Sequence, residues 1–138
     1  MIKALIDTNV IIDLFLGREP FCRDTEIIFQ KISEKKVEGY ISASAVTDIF
    51  YLLKKAKGKS DATNYILKLI KIVEILSVDK QTIINALLYN WHDFEDAVQA
   101  QVAIGNEMDV IITRNTKDFQ KTKEVKVLTP KEFIAEED

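Results

Sequence analysis

The chain has little of what several common kinds of chemistry require. It has one cysteine in 138 residues, Cys22. That excludes an internal disulfide framework and a thiolate cluster for zinc, and it fits a reducing compartment. Beside Phe21, at the edge of an apolar helix, Cys22 reads as a small buried hydrophobe rather than a nucleophile. His92 is the single histidine, so no His-based site can be built. No apolar run approaches the roughly 18–20 residues of a membrane span, and no signal-peptide pattern opens the chain. A cytoplasmic protein with no membrane contact is the expectation. Positive charge is not in surplus: 19 Lys and Arg against 22 Asp and Glu give a formal net charge of −3. That balance does not advertise nucleic-acid binding, but it leaves local basic patches open. There is no internal repeat, linker or low-complexity segment. What remains is a chain of single-domain size (1–138), 47% hydrophobic and 30% charged.

The most informative stretch is Lys3-Ala-Leu-Ile-Asp-Thr-Asn-Val-Ile-Ile-Asp13. Its short apolar run, Ala4–Ile6, reads as a strand buried on both faces. The run stops at Asp7, and Val10, Ile11, Leu14 and Phe15 then recur at helical spacing. Asp7 therefore stands where a strand ends and a helix begins, the place where open α/β sheets bind ligands. Asp7 or Thr8 as a plain helix cap is the competing reading.

The remaining elements alternate. A helix is predicted from Phe21 to about Lys36, a strand over Tyr40–Ala43, and a helix capped by Ser44 and carrying Val46, Ile49, Phe50 and Leu53. Ser60 opens another helix, with Ile66, Leu69, Ile70 and Val73 on its buried side. A strand over Ile75–Val78 and a helix capped by Asp79 follow. Asp93–Asp96 leads into a slim, alanine-rich helix that ends at Gly105 or Asn106. Strands are predicted at Val110–Thr113 and Val125–Leu128. Thr129-Pro-Lys-Glu132 is a capping box for a short last helix, fraying over Glu136–Asp138. Strands alternating with helices imply a parallel sheet with helices on both faces.

Acids fall at several of these junctions. Asp48 sits inside the most apolar helix, as a chance solvated residue or as one carried into a crevice. Asp93 and Asp96, three residues apart, share one helix face. As helix cap and first-turn acid they need no further role, and the helix dipole is expected to keep Asp96 ionised. Glu95 is expected to point elsewhere. Thr113, Asn115 and Asp118 follow the strand Val110–Thr113. Clustered carboxylates repel unless a proton or a cation neutralises them. An oxygen-only set selects Mg2+ or Mn2+ over Zn2+, and such a site suits phosphodiester hydrolysis.

Four segments together resemble the PIN-domain family over essentially the whole chain. They are Leu5-Ile-Asp7-Thr-Asn9-Val-Ile-Ile-Asp13, Ala45-Val-Thr-Asp48-Ile-Phe-Tyr-Leu-Leu-Lys54, Asp93-Phe-Glu-Asp96-Ala-Val-Gln-Ala100 and Ile112-Thr113-Arg114-Asn115-Thr-Lys-Asp118-Phe119. The resemblance implies a three-layer α/β/α sandwich with a mainly parallel sheet. It also implies a Mg2+- or Mn2+-dependent ribonuclease of the kind found as toxins in toxin–antitoxin pairs. Carried over, Asp7, Asp48 and Asp96 are the metal-binding and catalytic acids, with Asp48 where many members have Glu. Asp118 is the fourth acid, because Asn115 occupies the place where many members have one. Thr8, Asn9 and Thr113 orient acids or water, Asp93 supports them, and Asp13 is left out.

The leading reading is an endoribonuclease acting on RNA. Its basic rims would be Lys54, Lys55, Lys57 and Lys59 on one side and Arg114, Lys117, Lys121 and Lys123 on the other. The resemblance further implies a small antitoxin partner, whose tail puts a basic side chain into the acidic pocket, and a homodimer. Phe15, Leu16, Phe21, Tyr51 and Trp91 are its candidate apolar surface. A non-catalytic PIN-fold module that binds RNA or protein is the alternative. A phosphoacceptor receiver domain fits worse, because it needs an acid pair before the first helix.

Overall fold

The structure is a computed structural model, and it describes residues 1–89, 91–119 and 122–137, residue 137 by its backbone alone. Among the described residues, five strands form one sheet: β1 (Ile2–Ile6), β2 (Val37–Ser42), β3 (Glu74–Leu76), β4 (Val110–Ile112) and β5 (Lys126–Leu128). The order is β3-β2-β1-β4-β5 and every pairing is parallel. The helices are α1 (Thr8–Leu16), α2 (Cys22–Ser33), α3 (Ala43–Lys57), α4 (Lys59–Leu69), α5 (Lys80–Tyr89), α6 (Phe94–Gly105) and α7 (Pro130–Glu137).

The apolar run of β1 is continuous because both its faces are covered. Side chains alternate along a strand. Ala4 and Ile6 join the core formed with α1, α2, α3 and α4, while Leu5 joins a second core with Ala97, Ala100 and Ala103 of α6. β4 divides in the same way, Val110 and Ile112 to one side and Ile111 to the other. This is the expected three-layer α/β/α sandwich. β2 leads away from β1 on one side and β4 on the other, so the strand order reverses there. A crevice outside the carboxyl ends of the strands follows from that reversal.

Most junctions have the expected chemistry. Thr129 and Glu132 form the reciprocal capping box, with Glu132 N donating to Thr129 Oγ1 at 3.1 Å and Thr129 N to Glu132 Oε1 at 2.9 Å. Asp79 Oδ1 accepts from Thr82 N at 2.9 Å. Gly17 closes α1 in the left-handed region at φ 62°, where a Cβ would be strained.

Several boundaries differ from expectation. α3 starts at Ala43, and its cap is Ser42, whose Oγ accepts from Ala45 N at 3.2 Å; Ser44 lies inside the helix. Ser60 likewise lies inside α4, which begins at Lys59 after Gly58. α2 stops at Ser33, and Lys35 turns the chain at φ 61° into β2. β3 is shorter and earlier than predicted. α4 ends at Leu69, so Ile70 falls in the following turn and is exposed rather than buried. Cys22 is buried as expected. The last helix runs to Glu137, and Asp138 lies outside the described residues.

Gly39 of β2 is favoured by close packing, not by its backbone angle. A Cβ there would stand 2.7 Å from Ile32 Cδ1 and 3.2 Å from Val73 Cγ1. Gly39→Ala should therefore cost about 1–2 kcal/mol through overpacking, measured by urea unfolding. An unchanged midpoint would mean that α2 and the segment before β3 yield freely.

Candidate functional site

Asp7 is both a cap and the centre of the crevice, so the two readings of it are not rivals. It is the N-cap of α1, and Oδ1 accepts from Thr8 N at 2.8 Å. Oδ1 also accepts from Gln99 Nε2 at 3.1 Å. Oδ2 accepts from Thr113 Oγ1 at 2.8 Å and from Asn9 Nδ2 at 3.4 Å. These donors come from α1, α6 and the end of β4, so three separate elements fix one carboxylate. Asp7 is buried and Thr113 is wholly so. Thr113 Oγ1 passes the link on by accepting from Asn115 N at 3.1 Å.

Around Asp7 opens a crevice of about 450 Å³. Thr8, Asn9, Asp48, Asp93, Asp96, Asn115 and Asp118 all line it. Asp48 arrives on α3, Asp96 on the first turn of α6, and Asp118 on the short 3-10 helix Thr116–Phe119. Asp93 caps α6, with Oδ1 accepting from Asp96 N at 3.1 Å. Thr113 stands behind Asp7 rather than on the wall.

Two of the acids do not behave as the sequence suggested. Burial pushes the Asp96 carboxyl up to about 7, and Asp93, Asp7, Asp118 and Glu95 push the same way. Desolvation and four like charges outweigh the helix dipole, so Asp96 does not stay ionised by the dipole alone. Glu95 does not point away. It lines the crevice, and the charge of Asp48 is the main cause that raises its carboxyl above the ordinary range.

The sign of the resulting pH dependence follows from linkage. Asp96 holds its proton more tightly folded than at its ordinary value of 3.8. Between that value and about 7 the folded state binds more protons, so stability falls as pH rises across that range and levels off above it. In chelator, the melting temperature should decline from pH 5 to pH 8, and Asp96→Asn should flatten the slope. Parallel slopes for the two proteins would refute the assignment to Asp96.

Two participants escaped the sequence reading. Gln99 is buried and holds Asp7; only its place three residues after Asp96, on the same helix face, could have signalled it. Asp13 was left out, yet it is fully buried and accepts from Arg114 Nε at 2.6 Å and Arg114 Nη2 at 3.2 Å. The Arg114 guanidinium also lies over the Phe21 ring at 4.1 Å, and its backbone N donates to Asn9 Oδ1 at 3.2 Å. Arg114 is thus a strut that fastens the segment after β4 to α1, not a free basic side chain for RNA.

Lys54, Lys55, Lys57, Lys59, Lys117 and Lys123 are exposed. Lys55 follows Asp48 by two turns of α3, so it stands on the crevice side of that helix end. Lys121 lies outside the described residues. Of the apolar candidates, Phe15 and Leu16 pack against the core and Trp91 is part-buried, stacked on Tyr89 at 5.7 Å, while Tyr51 and Phe21 are exposed. His92 is exposed and lines no part of the crevice.

As possible metal ligands the wall offers oxygen atoms only, and although Arg18 also lines it, acids predominate, as the raised Glu95 shows. That fits a hard divalent cation in charge and donor type. Among the described residues no three acids stand close enough to chelate one directly. Water in the remaining positions is what Mg2+ ordinarily retains.

Comparison with known proteins agrees with this architecture. The chain is 27% identical over 136 residues to a protein of Aquifex aeolicus (strain VF5) named Ribonuclease VapC1, covering 95% of this chain and 92% of that one. A toxin–antitoxin complex from Klebsiella pneumoniae contains a chain superposing with TM-score 0.68 at 25% identity, covering 92% of this chain and 97% of that one. A chain of DNA-bound VapBC from Salmonella typhimurium superposes with TM-score 0.71 at 19% identity, covering 94% and 99%. The profile of the PIN domain matches residues 3–117. On that match, which spans every wall of the crevice except Asp118, the chain belongs to the PIN domain family.

Proposed function

We propose that this protein is a divalent-metal-dependent endoribonuclease and the toxin of a toxin–antitoxin pair. The observation that carries the reading is the gathering of Asp48, Asp93, Glu95, Asp96 and Asp118 around Asp7 in one crevice, where burial and then like charges among them raise Asp96 to about 7. A site evolved only for packing would not gather like charges at the mouth of a sheet. The likeness to Ribonuclease VapC1 supports the substrate class. The complexes from Klebsiella pneumoniae and Salmonella typhimurium support a protein antitoxin as partner.

A bound Mg2+ or Mn2+ would align a phosphate, stabilise its developing charge and lower the pKa of attacking water. Asp7, Asp96 and Asp48 would hold it, in part through the waters it retains, and Asp118 and Glu95 would act through water alone. Asn9 and Thr113 keep Asp7 in one orientation throughout. Asp93 holds the first turn of α6, and so Asp96, against the crevice. Asn115 offers a neutral amide at the rim. Lys54, Lys55 and Lys117 would meet the RNA backbone, each adding a salt-sensitive contact. A cytoplasmic setting, where RNA is at hand, accords with this role.

Exposed Ile75 on the sheet's edge strand, and exposed Leu87 and Leu88 on α5, are apolar surface that supports a homodimer. The alternative, a module that binds RNA or protein without cutting, draws on Asn115 and on the absence of a preformed three-acid chelate among the described residues. One experiment separates the two. Incubated with a mixed RNA pool, the protein should cleave with Mn2+ and stop in chelator. Binding without cleavage in both conditions would favour the module.

A further inference from the structure

One buried amide in the crevice has a group left over. Gln99 is 5% exposed and lines the crevice one turn after Asp96. Its Nε2 donates to Asp7 Oδ1 at 3.1 Å. Its Oε1 is buried and accepts no hydrogen bond among the described residues. The amide cannot be turned round, because that would set its oxygen against a carboxylate oxygen. A buried acceptor left unsatisfied is destabilising.

We propose that Gln99 is a positioning residue of the cation site: its Nε2 fixes the rotation of the Asp7 carboxylate, and its free Oε1 accepts from a water in the cation's shell. This rests on the metal-dependent reading above. The leftover acceptor is thereby explained, since the group that satisfies it arrives with the ion. Groups that orient a ligating carboxylate typically change metal affinity on the order of 10- to 100-fold when removed.

The test is calorimetric titration of Mn2+ into wild type, Gln99→Leu and Gln99→Met, with melting temperatures in chelator and cleavage kinetics alongside. Both variants should bind Mn2+ at least roughly tenfold more weakly. In chelator their melting temperatures should stay close to that of wild type, because loss of the Nε2 bond to Asp7 is offset by removal of an unsatisfied polar atom. Cleavage should lose kcat with KM for RNA little changed, since Gln99 touches no part of the rim. A folded variant that binds Mn2+ with wild-type affinity overturns the proposal. So does failure of both variants to fold, which would make the amide part of the core's stability. A wild-type chain that takes up no Mn2+ overturns the metal reading itself and this inference with it.

Discussion

Asp7→Asn should abolish Mn2+ uptake and reduce RNA cleavage by roughly a thousandfold or more, about 4 kcal/mol of transition-state stabilisation. Asn is the same size, so the loss isolates charge from shape. The carboxylate accepts from Thr8, Gln99, Thr113 and Asn9. An amide must turn its NH2 toward some of those donors, so it loses hydrogen bonds as well as charge. Stability should nevertheless change in two opposing ways. The lost bonds weaken the cap of α1, whereas removing one negative charge relieves Asp96, which Asp7 helps to push up. Asp96 should accordingly titrate lower in the variant, which carbon-detected NMR of its carboxyl would read. Cleavage at wild-type rate with Mn2+ would remove Asp7 from the chemistry, whatever the effect on stability.

Asp13→Ala should lower the melting temperature by roughly 10 °C, corresponding to about 3 kcal/mol. Asp13 is wholly buried, and its one close cationic partner is Arg114, with Arg18 at 3.9 Å beyond it. Truncating it leaves a guanidinium pressed on Phe21 without its counter-charge. The Arg114 side chain retains 26% exposure, so the lower end of the range for broken buried pairs applies. The damage should reach the crevice, because Arg114 stands between Thr113 and Asn115. A paired replacement, Asp13→Leu with Arg114→Met, should recover much of the stability, since a buried ion pair is often matched by apolar packing of similar volume. Thermal unfolding decides both parts. A single variant melting within 2 °C of wild type would show that the strut bears no strain.

How far these features could be read from the sequence depended on how local their causes are. Asp7 was legible because a buried strand, an abrupt acid and a helical stripe occupy consecutive positions. The capping box at Thr129 and the caps at Asp79 and Asp93 were legible for the same reason. Asp13 was not, because its partner lies 101 residues away, and an acid on a helix looks solvated until the other end of the pair is placed. Gln99 was hidden among alanines in the middle of α6, where a glutamine reads as a surface residue. Ser42 and Ser44 are equally good caps by type; the pairing that carries β2 as far as Ser42, opposite Leu76 of β3, decides between them. The ionisation of Asp96 was misjudged because the dipole is a property of one helix, whereas the opposing charges come from β1, from the 3-10 helix and from its own neighbours. The parallel sheet was readable from alternation alone, yet the strand order that puts β4 beside β1 is a tertiary fact.

That order has a consequence for synthesis on the ribosome. The central strand is made first, but the neighbour that supplies Thr113 to Asp7 lies 106 residues downstream. Until those residues emerge, β1 has an open flank and the carboxylate lacks one of its two shortest hydrogen bonds. The crevice can therefore take its final shape only after β4 has been synthesised, because Asp7 and Thr113 leave the ribosome far apart in time and meet only once both strands are in the sheet.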